Sequence, residues 1–420
     1  MSESIYTDER ATLKYWMDKL YVDENTIWEE IDAFGVNKRI RKKTKTLRDL
    51  SKFPNKLRFD EAQEMILEAE QFFRDGKPAC EYYDSDGSPI SESDFKAAKE
   101  NCNIENLKKN IIVRYALTIR RDNLRLLPTE KNFFDDKNFL HYDDLQGTAL
   151  DPLEPVAVLH ESVDGKFCFA VSAYYTGWIV EDALIFTDRA EWIRCVRPKD
   201  YIVALSDKAI LTYDNKVLQF QGGKILPIIP FGFLDQIYMP QKIEEKLSKI
   251  TEDIEENEDF DYEPLSFIPW TVVLTAFDYI DYSYGWGGME GGVDCSSFVM
   301  NVYRVMGINL PRDADEQEKA MPESVKLTNL TEEQRFEEIK NAPVGALLFS
   351  RNHVMLYLGT DDNGEPSVIH ALSSYYDFQN GVGEKHYVRK VVVSDLHFKN
   401  SQNVEMINSL TSIGYFKRWR

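Results

Sequence analysis

Cysteine is scarce in this chain, and what little there is lies far apart. The 420 residues hold five, Cys80, Cys102, Cys168, Cys195 and Cys295, an odd number with no Cys-x-x-Cys pair among them. A zinc site of paired cysteines is not expected, and neither is a disulfide framework in a chain this long. Long apolar runs are missing too: no stretch of about 18 apolar residues occurs, so no segment reads as a membrane-spanning helix. Positive charge is in deficit, with 50 Lys and Arg facing 71 Asp and Glu for a formal net charge of −21. That balance argues against nucleic acid as a partner, because a phosphate backbone demands a basic face. The one basic run, Lys38 to Lys45, reads as a solvated helix face or loop. Residues 251–263 carry eight acids and no base. Without a glycine-kinked loop they suit a solvated linker better than a calcium site. The polar, acidic start Met1-Ser2-Glu3-Ser4 lacks the basic and apolar regions of a signal peptide. It reads as a cytoplasmic protein or as one whose leader has been removed.

What is present suffices for several cores. Hydrophobic residues make up 43% of the chain, and its length predicts about two to four domains. Residues 1–110 read as a helical segment with a packing role. Thr7-Asp8-Glu9-Arg10 sets an acceptor ahead of an acidic first turn, and Phe59 to Phe73 forms a further helix. From 111 the texture changes to short β-like runs between turns: Ile111–Ile119, Leu124–Thr129, Pro155–His160, Ser162–Val171 and Gly177–Val180. A second set runs from Trp192 to Ile229. These predict two small β-barrels, over 111–187 and 188–240, followed by an acidic linker over 241–266.

Cys295 is set apart by its surroundings. It follows the glycine-rich stretch Tyr284-Gly285-Trp286-Gly287-Gly288-Met289-Glu290-Gly291-Gly292-Val293-Asp294. After it, Phe298, Val299, Val302, Tyr303 and Met306 recur at helical spacing, and Gly307 ends the run. A thiol in a first helical turn faces unpaired N–H groups and the positive end of the dipole, which favour thiolate, the nucleophilic form. Two of the six histidines lie downstream on short β-like runs: His353-Val354-Met355-Leu356-Tyr357-Leu358-Gly359, and Ser367-Val368-Ile369-His370-Ala371 after the hairpin signal Asp361-Asp362-Asn363-Gly364. A helix-borne Cys followed by a strand-borne His and a polar orienter on the next strand is the papain-like order. Placing His353 directly opposite His370 needs a turn centred on Asp361-Asp362, whereas Asn363-Gly364 is the stronger turn signal. A bulge or an asymmetric loop reconciles the two.

Residues 267–373 resemble an NlpC-type peptidoglycan endopeptidase, a bacterial papain-like cysteine peptidase. The motifs that carry the resemblance are Tyr284 to Gly288, Asp294-Cys295-Ser296-Ser297, Leu310-Pro311-Arg312-Asp313, Gly345 to Phe349, His353 to Gly359 and Ile369-His370. The step Gly177-Trp178-Ile179 resembles the closing strand of bacterial SH3-like domains. The expected fold class is therefore α+β: a papain-like cysteine peptidase domain over 267–420, preceded by two SH3-like β-barrels and a helical N-terminal segment.

The resemblance implies hydrolysis of the γ-D-glutamyl–diamino acid amide of peptidoglycan stem peptides or muropeptide fragments, by a monomer without metal or organic cofactor. It points to the cell envelope, and to a preference for a free N-terminal L-alanine. Cys295 would be the nucleophile, His353 its base and His370 the orienter. Asp294 would pair with the substrate ammonium, Ser296 would add a hydrogen bond, Tyr284 and Trp286 would wall the pocket, and Asp313 would complete its acidic end. An aromatic borrowed from the first barrel, Tyr175 or Tyr174, would close one side. Asp294 reads equally well as a helix cap, and Trp286 as core. Ala314 stands where many members of this specificity carry Ser, removing one hydrogen bond to the substrate. Two other readings remain: a non-catalytic wall-binding scaffold, and an amidase or acyltransferase using the same three residues.

Overall fold

The computed structural model describes residues 4–20, 30–70, 80–231, 234–243, 246–253 and 257–416. The expected continuation of one helix through Gln71, Phe72 and Phe73, the first three residues of the chain, and Glu255 and Glu256 of the acidic stretch lie outside them.

Helix and sheet are mixed, as an α+β chain requires. Seven antiparallel strands form the first sheet, in the order Gln146–Leu150, Asp122–Arg125, Thr176–Val180, Phe167–Val171, Pro155–Glu161, Arg114–Thr118, Leu184–Thr187. Trp178, fully buried, packs edge-on against Phe169 at 5.3 Å between ring centroids. A second sheet runs Lys246–Glu252, Leu234–Ile243, Ile225–Phe231, Tyr201–Ala204, Phe260–Asp261. Beside it stands the hairpin Ala209–Tyr213/Lys216–Phe220. Its turn residues Asp214 and Asn215 both take positive φ, the twist that a two-residue hairpin loop requires.

Two readings are corrected here. Trp192 does not begin a strand; it lies inside the helix Arg189–Val196, capped by Asp188, and is fully buried. The stretch expected to be a linker supplies strands instead. Lys246–Glu252 pairs with Leu234–Ile243, and Phe260–Asp261 pairs with Tyr201–Ala204, its Phe260 buried among the apolar residues of the sheet. The acids mask an underlying strand because only one face of an edge strand need be apolar.

The N-terminal segment divides between two cores. Trp16, Met17, Leu20, Val36 and Ile40 share one apolar cluster with Phe298, Val302 and Leu356 of the C-terminal region, whereas Ala62, Ile66, Phe95 and Ala98 pack with the first sheet. The 3₁₀ turn Glu9–Ala11 is capped by Asp8, one residue later than the expected acceptor Thr7. The basic run falls largely on the helix Ala33–Lys43, with Lys38, Arg39, Arg41, Lys42 and Lys43 exposed and Val36 and Ile40 turned inward.

The C-terminal sheet is antiparallel throughout, in the order Glu323–Lys326, Leu410–Tyr415, Leu347–Ser350, His353–Thr360, Pro366–Gln379, Val382–Ser394. The helices Pro269–Phe277 and Cys295–Arg304 pack together, and the second lies against the strand His353–Thr360. Gly307 ends that helix at φ +73°.

Candidate active site

Asp294 makes the start of the helix that carries Cys295. It is the N-cap of Cys295–Arg304, its Oδ1 accepting the Ser297 N–H at 2.8 Å while the Ser297 hydroxyl oxygen accepts the Asp294 N–H at 2.9 Å. Such a reciprocal box fixes where the helix begins and therefore puts Cys295 at its first position. Upstream, the glycine-rich loop holds Gly287 at φ +57° and Gly288 at φ +80°, and a Cβ on Gly287 would stand 2.5 Å from Gln146 Cγ. Glycine is needed there for the left-handed backbone and for the close approach of the first sheet. Gln146 in turn donates to the Gly287 carbonyl at 3.0 Å, so the sheet and the loop are locked together.

The thiol lies under cover, 8% exposed, with the Val354 and Ser296 backbone N–H groups directed at its sulfur. Burial pushes its pKa up to about 12, with Asp294 adding to the rise. The helix end alone led the sequence to favour thiolate; desolvation and the neighbouring carboxylate outweigh it. At rest the group is a thiol and needs a base.

His353 opens the strand beside Val354, and its Nε2 lies 2.7 Å from His370 Nδ1. Burial lowers His353 to about 4, and lowers His370 well below its ordinary range with His353 adding to it, so both rings are neutral. With Nε2 facing His370, Nδ1 is the ring nitrogen of His353 that this contact leaves unoccupied. The two histidines are not directly opposite. Leu356 pairs with Ile369, which sets Met355 opposite His370 and makes His353 its diagonal neighbour on the same face. A bulge is present between Tyr357 and Gly359, without setting the two histidines opposite, and Gly364 at φ +85° closes the turn.

Asp294 is fully engaged by the protein itself. Arg312 grips both its oxygens, at 3.1 and 2.5 Å, and Gly287 N–H, Ser297 N–H and the Ser296 hydroxyl donate to it as well. Burial would raise this carboxyl, but the Arg312 guanidinium holds it below the usual carboxylate range. Ser296 is drawn into the same network, accepting from Arg312 at 2.9 Å. Arg312 also donates to Thr148 of the first sheet at 2.8 Å. The carboxylate beside the nucleophile is thus not free to meet an ammonium. Asp313 is: its carboxylate has no hydrogen-bond or ion-pair partner among the described residues and reaches solvent from a wall dense in protein atoms. Burial, and the negative Asp294, Asp315 and Glu316 against the opposing Arg312, raise it to about 6.

Aromatic rings wall the site. Tyr284 lies close enough to Cys295 for the sulfur's charge to act on its phenol, and that phenol is hydrogen-bonded to Tyr142. Tyr142 packs on Tyr284 and on Trp286, at 5.9 and 5.5 Å between centroids. Tyr175 is within electrostatic reach of Asp313, Arg312 and Asp294, whereas Tyr174 is within reach of Glu154, Asp151 and Arg304. Of the two barrel tyrosines weighed from the sequence, Tyr175 is the one near the site. Tyr142 was missed. It lies in a loop that docks on the C-terminal hairpin, Phe139 stacking on Tyr387 at 3.9 Å and His141 meeting Arg389 at 2.8 Å. The clustering of Phe139, His141 and Tyr142 in an otherwise polar loop was the available signal.

Residues 281–396 match the NlpC/P60 family, and residues 131–180 match the SH3 domain of SH3b1 type. A similar curated protein is the gamma-D-glutamyl-L-lysine dipeptidyl-peptidase of Bacillus subtilis (strain 168), 38% identical over 50 residues. That match spans 12% of this chain and only 17% of the relative's length. Among solved structures, an NlpC/P60 endopeptidase from Photobacterium damselae subsp. piscicida superposes with a TM-score of 0.75 at 18% identity, over 95% of this chain and 96% of the other. An NlpC/P60 family protein from Bacillus cereus ATCC 10987 is 18% identical over 64% of this chain and 82% of its own, at a TM-score of 0.45. The two family matches, with the fold shared with the Photobacterium structure, show that the chain carries an NlpC/P60 domain of papain-like α+β fold joined to an SH3b domain.

Proposed function

We propose that this protein is a cysteine endopeptidase that hydrolyses the γ-D-glutamyl–diamino acid amide of peptidoglycan stem peptides bearing a free N-terminal L-alanine. The observation that carries the reading is a first-turn cysteine beside the strand of His353, itself backed by His370. His353 Nδ1 takes the thiol proton as sulfur attacks the γ-carbonyl carbon, then returns it to the leaving amine; water hydrolyses the thioester by the same route. A developing oxyanion meets the Cys295 N–H, which has no intrahelical acceptor at that position. Of the two phenolic protons on Tyr142 and Tyr284, one is spent on the bond between them, and the other is free to donate to the oxyanion.

The match to a gamma-D-glutamyl-L-lysine dipeptidyl-peptidase supports the choice of bond. For the substrate ammonium the better partner is Asp313, with Tyr175 alongside, because Asp294 and Ser296 are occupied in holding Arg312. A comparison of L-Ala-γ-D-Glu-diamino acid tripeptide, its N-acetylated form and intact sacculi tests the reading. Only the free tripeptide should be cleaved rapidly. Equal cleavage of the acetylated peptide would remove the amine from the recognition.

A further inference from the structure

The chain of contacts behind the catalytic base does not end at His370. His370 Nε2 lies 3.0 Å from the Ser394 hydroxyl oxygen, and that hydroxyl donates to the Asp395 carbonyl at 2.8 Å. A hydroxyl carries one proton. Since that proton goes to Asp395, the Ser394 oxygen can only accept from His370, and Nε2 of His370 must carry its hydrogen. A neutral imidazole has one N–H, so Nδ1 of His370 bears a lone pair. It follows that His353 donates its Nε2–H across the 2.7 Å contact and keeps Nδ1 bare for the thiol. The opposite tautomers would put a hydrogen on His353 Nδ1, the nitrogen to which the proposed reaction assigns the thiol proton.

Ser394 itself is held from the outside. Ile5 forms a β-bridge with it, the Tyr6 N–H donates to the Val393 carbonyl at 3.0 Å, and the Asp395 N–H donates to the Ser4 carbonyl at 3.0 Å. Phe398 covers the other face of the His370 ring at 5.3 Å. Ser394 is fully buried, as is His370, so water does not compete for either.

We infer that Ser394 is a positioning residue that sets the tautomers of His370 and His353, clamped in place by the N-terminal residues Ser4–Tyr6. The inference rests on the reading of Cys295 as the nucleophile and His353 as its base. Without Ser394 both tautomers of the pair become accessible, and only one can take the thiol proton. Losing one neutral hydrogen bond of this kind lowers the productive fraction roughly three- to tenfold. The loss should be confined to pH values at which the thiol needs a base, and it should close at alkaline pH, where thiolate forms without one.

The test measures iodoacetamide alkylation of Cys295 against pH in wild type, Ser394→Ala and Ser394→Thr, together with ¹⁵N chemical shifts of the histidine rings in wild type. Expected are a protonated Nε2 on His370, alkylation slowed several-fold near neutrality in the alanine variant, convergence with wild type at alkaline pH, and rescue by threonine. A wild-type His370 protonated at Nδ1 would overturn the inference even if the alanine variant failed to fold. So would an alanine variant with an unchanged profile, or one slowed equally at every pH. Wild type that resists alkylation near neutrality would instead count against Cys295 as an activated nucleophile, an outcome distinct from these.

Discussion

Arg312 ties the nucleophile loop to the first sheet, and replacing it with methionine should be among the most damaging single changes in the site. The guanidinium makes two bonds to Asp294, one to Ser296 and one to Thr148. Both partners of the ion pair are nearly inaccessible, Arg312 at 3% and Asp294 at 5%. Removing one partner of a buried pair leaves an uncompensated charge and costs about 3–5 kcal/mol. Asp294 has one escape, which is to take up a proton. At pH 7, about three units above an ordinary carboxyl pKa, that costs about 4 kcal/mol, so the two routes agree. The opening free energy of the loop should fall by that amount. Hydrogen exchange at the Gly287 and Ser297 amides, both bonded to Asp294, should then accelerate on the order of a hundred- to a thousandfold. The loss should shrink as pH is lowered toward 4, because the proton becomes easier to acquire. Asp294→Asn in the Arg312→Met background should recover part of the protection by removing the stranded charge. Protection within tenfold of wild type at pH 7, or an Asn substitution equally harmful in both backgrounds, would refute the account of this pair.

Other expectations follow from the same geometry. Tyr142→Phe keeps the ring but removes a phenolic proton from the pair with Tyr284, so kcat should fall about a hundredfold while KM for the tripeptide holds; a rise in KM with kcat unchanged would contradict the oxyanion role. Gly147→Ala places a Cβ 2.4 Å from Tyr175 Cε1, so Tyr175 must shift, and steady-state kinetics should show KM raised with kcat little changed. Asp313, raised to about 6, loses its charge as pH falls through that value, so KM for a free-amine substrate should climb there while that for an acetylated peptide stays flat. His353 and His370 are neutral when folded but protonate near 6.5 when unfolded. The unfolded chain therefore binds more protons, and stability conferred by these groups is full above about 6.5 and declines as pH falls from there toward 4, at up to about 1.4 kcal/mol per pH unit for each histidine. Thermal melts across that range should show the decline, and His370→Asn should lessen it.

The nucleophile region was legible because its local signals agreed. Apolar spacing from Phe298 to Met306, the cap at Asp294 and the stop at Gly307 all specify one helix, and Asn363-Gly364 specifies one hairpin. What escaped depended on pairings far apart in sequence. Asp294 reads as an available acid until Arg312 is seen to hold both its oxygens, and nothing in the Leu-Pro-Arg-Asp motif says where its guanidinium points. Tyr142 reaches the site only because Phe139 finds Tyr387 and His141 finds Arg389, residues some 250 positions away in the chain. Composition also misled at 241–266, where the many charges hid the buried Leu247 and Phe260 on which the two strands pack. The expected thiolate failed for a related reason: the helix end is a local effect, and burial, a tertiary one, is larger.

The central claim is that Cys295 forms the covalent intermediate, and mass spectrometry of tripeptide digests tests it most directly. Incubated with L-Ala-γ-D-Glu-diamino acid, wild type should release L-Ala-D-Glu and the free diamino acid, with a rapid quench trapping the L-Ala-γ-D-Glu acyl group on the peptide that contains Cys295. Cys295→Ala should give neither product nor adduct. Release of the dipeptide by the alanine variant, or an adduct on any other residue, would contradict the account.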